Sequence, residues 1–300
     1  MKKQNLWICR RTAKQPESKR YGGFSAKKIA DAVEILTEMF DDALCTKFLS
    51  FPACICATGT RGVIRFMVEQ KMADVLITTC GTLDHDIARV WKDYYHGDFE
   101  LDDTELREKG INRLGNIVIP NANYGIILEK KISSFIKEIA REKKIFSTKE
   151  LCWEFGKRLD SSSILYWAWK NEIPVFIPGI TDGSVGSQLW MHRQNDRQFQ
   201  IDILKDEDDL AEIVFNAKRS GALMLGGGIS KHHVIWWNQY RGGLNYAVYV
   251  TTAGEYDGSL SGARTKEAIS WGKVRKNARH ITVDGDATVL LPLIIAGLRE

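Results

Sequence analysis

The segment Glu267-Ala-Ile-Ser-Trp-Gly-Lys273 sets a carboxylate, an indole and an amine within one helical turn and its exit. Glu267 and Trp271 stand at i and i+4, one face of a helix, and Lys273 follows two residues later. An amine walled by indole loses hydration. That favours the neutral form, the nucleophile that builds an imine. Spacing alone favours an ordinary surface lysine, so the chemistry needs support from other segments.

Lys231-His232-His233 is one such segment. Adjacent histidines point in different directions on a helix, which makes them a poor metal chelate, but one imidazole facing a crevice suits general-base work. Packing or a surface place is the commoner fate of a lone histidine. Just before it, Gly226-Gly-Gly228 follows an apolar run, allows close approach of backbone to a ligand and presents helix N-terminal amides to a phosphate. Lys231 stands where a dinucleotide fingerprint has its third glycine, so the same residues read equally as a tight strand-to-helix turn. Asp182 and Asp286 end similar loops, where a carboxylate binds a ribose hydroxyl or caps a helix.

The elements that hold these residues repeat along the chain. Short apolar, β-branched runs end in Gly, Thr, Ser or Asp clusters and lead into helix-like segments. They are Lys47–Phe51, Asp74–Ile77, Pro174–Ile177, Ala222–Leu225, Tyr246–Val250 and Ile281–Val283. Runs without polar alternation imply strands buried on both faces, and their alternation with helices implies parallel pairing. The fold class expected is therefore α/β: a Rossmann-like, open, mostly parallel sheet with helices on both faces. Helices are expected over Ala26–Asp41, Ile132–Glu142 and Asp208–Ser220. In such sheets ligands sit beyond the carboxyl ends of the strands, where the Gly, Thr and Asp clusters fall, Thr79, Gly81 and Thr252 among them.

Composition sets the outer limits. Three hundred residues with 44% apolar content fill a sizeable core, and 42 basic against 38 acidic residues leave only +4, far from the charge of a dedicated nucleic-acid binder. The longest apolar run, Val289–Leu298, is broken by Pro292 and falls short of the roughly 20 residues a bilayer demands, so no membrane association is expected. The N-terminus lacks a secretory signal, which points to the cytoplasm. Six cysteines form no Cys-x-x-Cys, so reduced thiols and no metal are expected. The basic stretches Arg10–Arg20 and Lys130–Lys144 read as solvated faces, and Trp167, Trp169, Trp236 and Trp237 as core or subunit contacts. No linker or repeat divides the chain; residues 1–33 read as an N-terminal extension and 34–300 as one domain.

Several motifs in series carry a broader resemblance. Leu36–Asp42, Asp103–Asn116, Thr181-Asp-Gly-Ser184, Leu225–Gly228, Lys231–His233, Glu255-Tyr-Asp-Gly-Ser259, Ser261–Arg264 and Ser270-Trp-Gly-Lys273 are similar, in the same order, to deoxyhypusine synthase in its shorter archaeal form. The resemblance implies oxidation of spermidine with NAD and transfer of the aminobutyl group through an imine on Lys273. The acceptor is a lysine of the translation initiation factor 5A precursor. It implies His232 as base, with Asp84, His85, Ser187, Gly258, Ser259, Leu260, Glu267 and Trp271 at the amine. NAD is implied at Ala53, Cys54, Ile55, Cys56, Ala57, Thr79, Cys80, Gly81, Asp182, Gly227, Thr252, Asp286 and Ala287. A homotetramer with active sites at subunit interfaces is implied as well.

The chain departs from the eukaryotic pattern where carboxylates would pair the amines of spermidine: His85, Ser187 and Leu260 stand there. Losing charge partners re-aims or weakens cation binding, and Asp84, Asp86, Asp257 and Glu267 are the nearby acids that compensate. Two other readings share parts of the pattern. One is a homospermidine-synthase-like transfer to a free diamine; the other is a non-catalytic NAD-binding scaffold.

Overall fold

Apolar runs without alternation do become buried parallel strands. This computed structural model describes residues 23–298, and the chain folds as two units. The first takes the chain up to Phe51, Met72–Ile77 and the stretch from Asp209 onward; the second takes Pro52–Lys71 and Thr78–Asp208.

In the first unit five strands pair in parallel in the order Val274–Asp284, Leu244–Thr251, Arg219–Leu225, Cys45–Ser50 and Val75–Ile77. Register sets Leu49 beside Leu223 and Leu76, Ala247 beside Ala222, and Val248 beside Leu223 and Ile281. Leu49, Leu76, Ala222, Leu223 and Val248 are fully buried, which is why these runs need no polar alternation. Helices Phe24–Asp41, Gly228–Gln239 and Ala287–Gly297 pack on the strands. The order reverses between Cys45–Ser50 and Arg219–Leu225, the switch point at which such sheets open a crevice. The glycine turn Gly226–Gly228 leaves the sheet there.

The second unit is mainly helical, with strand Val175–Phe176 and a small antiparallel sheet of Tyr95–His96, Ile117–Pro120 and Ile111–Leu114. Three of its buried aspartates cap helices distant in sequence. Asp84 accepts from the amides of Ser184 and Val185, Asp86 from those of Ile164 and Leu165, and Asp206 from those of Thr148 and Lys149. Each carboxylate meets the orphan donors at a helix start, where negative charge is favoured. Asp86 also pairs with Arg61 and accepts from the Ser163 hydroxyl.

Boundaries differ from expectation in several places. The third predicted helix runs over Ile203–Asn216, and Arg219 and Ser220 belong to a strand. The last strand begins at Val274, well before Ile281; Arg275, Lys276 and Asn277 within it are polar and exposed and carry no apolar strand pattern. The limit at residue 33 falls inside helix Phe24–Asp41, where Ala32 is fully buried. Residues 1–22, with the basic stretch Arg10–Arg20, lie outside the described residues. The other basic stretch lies on helix Gly125–Glu142, which buries Leu128, Ile132, Phe135, Ile136 and Ile139 on one stripe and leaves Lys130 and Lys137 exposed.

Candidate active site

Lys273 is not a surface residue: only 8% of it is accessible. The short helix Glu267–Ser270 ends at Trp271, and Gly272 then takes φ +69°, a left-handed turn that a side chain would strain. Through that turn Lys273 enters a cavity of about 170 Å3 whose lining includes Lys231, His232, Leu260, Glu267 and Trp271. Its Nζ lies 5.3 Å from the ring centroid of Trp271 and 5.6 Å from that of Trp236. Both indoles lie within the range of a cation–π contact with the amine.

His232 and His233 divide as their positions on the helix require. His232 lines the cavity and stacks on Trp236, with ring centroids 5.6 Å apart and planes 26° apart. Burial first, and then the charge of Lys273, holds its pKa below the usual 6.5, so the imidazole is neutral and able to accept a proton near neutrality. His233 is pulled down to about 4, chiefly by burial.

Lys231 is the lysine that spacing overlooked. Its Nζ donates to the carbonyls of Leu260 (2.8 Å) and Ala263 (2.6 Å) and lies 3.6 Å from the ring centroid of Tyr249. Burial pulls its pKa down to about 7, while the two carbonyls and the ring face favour the ammonium. The Tyr249 and Thr251 hydroxyls both donate to the Ser261 carbonyl, at 2.6 and 3.1 Å. The loop that turns Leu260 into the cavity is thereby tied to the sheet and to helix Gly228–Gln239. Gly258 and Ser259 lie in the same loop, exposed, with the Ser259 hydroxyl on Asp257.

The remaining expected residues of the first unit sit at strand exits. Gly227 begins helix Gly228–Gln239 without a side-chain cap and packs on Ser261. Thr252 is exposed, and Asp286 caps helix Ala287–Gly297 by accepting from the Thr288 amide at 2.9 Å.

Within the second unit, Ala53–Ala57 is a short helix whose first amide donates to the Thr79 hydroxyl at 3.2 Å. Cys54 is exposed, while Ile55, Cys56, Ala57 and Cys80 are buried; burial pushes the Cys80 thiol up to about 12. A Cβ at Gly81 would meet that of Ala53 at 2.8 Å. Asp182 is exposed, and its charge adds to the burial that raises the pKa of Asp84. Besides the two amides, the Asp84 carboxylate accepts from the Tyr124 hydroxyl at 2.8 Å. His85 Nδ1 is 2.9 Å from the Tyr94 hydroxyl, and burial draws its pKa to about 4. Ser187 is exposed, its hydroxyl donating to the Gly183 carbonyl at 3.2 Å.

Fold and site together define an α/β protein with a parallel sheet and a buried lysine that has two indoles near it and shares its cavity with a neutral imidazole and a carboxylate. The family model for deoxyhypusine synthase matches residues 17–298, and the chain belongs to that family. It is 60% identical over 278 residues to "Probable deoxyhypusine synthase" of Picrophilus torridus, covering 92% of this chain and 89% of that one. It is 56% identical over 276 residues to the protein of the same description from Thermoplasma acidophilum, with the same coverage. A crystal structure described as a putative deoxyhypusine synthase from Entamoeba histolytica superposes with a TM-score of 0.65 at 22% identity, over 92% of this chain and 88% of that one. That last likeness is one of fold. The chain is thus an enzyme of the deoxyhypusine synthase family. Among the described residues no helix is long and apolar enough to cross a membrane, and no group of three or more His, Cys, Asp or Glu is placed to hold a metal ion.

Proposed function

We propose that the protein transfers the aminobutyl group of spermidine, by way of an imine on Lys273, to a lysine of the translation initiation factor 5A precursor, forming deoxyhypusine. It does so with NAD, as a cytoplasmic homotetramer. The observation that carries this reading is the buried Lys273 amine, 5.6 Å from the Trp236 ring and 5.3 Å from the Trp271 ring, in a cavity lined by His232, Glu267 and Trp271.

NAD, when bound, would supply the acceptor for the hydride that leaves spermidine and the source of the hydride for the final reduction. The first unit fits such a cofactor at the switch point. A Cβ at Gly228 would meet nothing within 4 Å, and the helix that begins there has no side-chain cap on its amides, which leaves them for a diphosphate. Thr252 and Asp286 stand at the neighbouring strand exits.

The chain's own residues account for the rest. His232, neutral at physiological pH, takes the proton released as the secondary amine is oxidised. Lys273 Nζ forms a bond to the oxidised carbon as the bond to the propylamine nitrogen breaks, releasing 1,3-diaminopropane. The acceptor lysine then attacks the same carbon and frees Lys273. Glu267 pairs with the amine at the far end of the transferred chain.

Incubation with NAD and spermidine, borohydride trapping and peptide mass spectrometry test this without an acceptor protein. An aminobutyl adduct on Lys273, absent from Lys273→Ala, is expected. An unchanged transfer rate in Lys273→Ala would overturn the lysine assignment. Exclusive formation of homospermidine, with both acceptors present, would overturn the choice of acceptor.

A further inference from the structure

Trp236 touches both groups that the reaction needs, yet it lies outside every motif that pointed to the site. His232 and Trp236 on helix Gly228–Gln239 and Tyr240 at its C-cap recur at i, i+4 and i+8, so their rings form one row on one face. His232 stacks on Trp236 at 5.6 Å between centroids. Tyr240 meets Trp236 edge-on from the other side, at 6.0 Å and 85°. The indole plane is therefore set by neighbours on its own helix before any other element arrives. Lys273, reaching in from the start of the last strand, places its ammonium 5.6 Å from that same ring.

We propose that Trp236 is a positioning residue for the reaction: its indole is the common surface that fixes the His232 ring and the Lys273 amine relative to one another. The proposal rests on the reading of Lys273 as nucleophile. One ring serves two tasks. Its face limits rotation of the imidazole, so that a chosen nitrogen keeps its direction into the cavity. Its electron-rich π-system and its bulk, with Trp271 also near the amine at 5.3 Å, keep the amine from swinging out to water. With 41% of Trp236 still accessible, the indole is not a core residue that the fold would need for burial.

The charged and titratable groups around His232 are Lys231 and His233 on its own helix and Arg264, Glu267 and Lys273 across the cavity. Burial is the largest influence on the imidazole, and Lys273 the next. Removing the indole hydrates His232 and lets its pKa rise toward 6.5, so the acid limb of the rate profile moves to higher pH.

The test compares wild type, Trp236→Phe and Trp236→Leu for the rate of borohydride-trapped adduct on Lys273, against spermidine concentration and across pH. The expectation for Trp236→Leu is a fall in kcat of about tenfold or more, a KM within about threefold of wild type, and an acid limb shifted upward. Trp236→Phe, which keeps a ring for His232 to stack on, recovers most of the rate. Thermal melts of both variants show whether either has lost its fold; a destabilised Trp236→Leu leaves the decision to Trp236→Phe and its pH profile. A Trp236→Leu enzyme with wild-type kcat and an unmoved profile overturns the proposal. So does a Trp236→Phe enzyme as impaired as Trp236→Leu. Absence of adduct in wild type itself would instead sink the reading of Lys273, before any variant is compared.

Discussion

Gly227 lies so close to Ser261 that a Cβ there would stand 2.2 Å from the serine Oγ and 2.4 Å from its Cα. Part of that obstacle is backbone, so a rotamer change cannot remove it. The glycine loop thus serves two neighbours: its amides begin a helix, and its bare face seats the segment that carries Leu260 and Ala263 into the lysine cavity.

Gly227→Ala should therefore push the Ser259–Ala263 segment outward. The expected cost is about 1–3 kcal/mol, as for overpacking of a tight contact, with a raised KM for spermidine. Chemical denaturation and steady-state kinetics read the two effects. Unaltered values of both would mean that the segment is free to give way.

The strands were legible because they are short, apolar and buried, and because each ends in a cluster of small polar residues. Where that contrast fades, reading fails. Arg275–Arg279 is a polar half-strand that gives no signal beside Ile281–Val283, and Arg219–Ser220 resembles the continuation of a helix. The small antiparallel sheet went unforeseen, since Tyr95–His96 is only two exposed residues. At the site, motif order brought out Lys273, His232, Glu267 and Trp271. Neither Trp236 nor Lys231 drew a site reading, although both stand close to His232 in sequence. What sets them at the site is proximity to Lys273 and hydrogen bonds to the carbonyls of Leu260 and Ala263, long-range facts that local spacing does not encode.

Among the described residues that line the lysine cavity, Glu267 is the only carboxylate. Glu267→Gln keeps shape and hydrogen bonding but removes the charge that an ammonium would meet. A rise in KM for spermidine of about tenfold is expected, the equivalent of roughly 1.4 kcal/mol for one partly solvated charge-assisted hydrogen bond, with adduct still forming at saturation. If KM stays the same and only kcat falls, Glu267 acts on the chemistry and the amine finds its partner elsewhere.

Asp84 illustrates a carboxylate kept for architecture. Its oxygens accept from the Ser184 and Val185 amides at 2.8 Å each and from Tyr124, and only 1% of the residue is accessible. Asp84→Ala would orphan those donors at the start of helix Ser184–Asn195. A loss of about 2 kcal/mol or more is expected, of which Asp84→Asn restores part because it still offers one acceptor oxygen. Denaturant midpoints rank the three proteins; an alanine variant as stable as wild type would contradict the capping role.

His85 ties stability to pH. Burial, and after it the charge of Arg89, draws its pKa to about 4 in the folded chain, against 6.5 for an unhindered histidine. The native protein therefore keeps a neutral ring, with Nδ1 at the Tyr94 hydroxyl, while the unfolded chain takes up a proton as pH falls below 6.5. More protons bound in the unfolded state means that stability rises with pH through this window and is fully present above it. At pH 5 the difference from this one group is on the order of 2 kcal/mol. His233, also held near 4 by burial, adds in the same direction. Urea midpoints measured from pH 7.5 down to 4.5 should fall steadily in wild type and less steeply in His85→Phe, which cannot titrate. Parallel slopes in the two proteins would show that the ring takes up its proton as readily in the native state as in the unfolded chain, and would overturn the buried neutral imidazole at Tyr94.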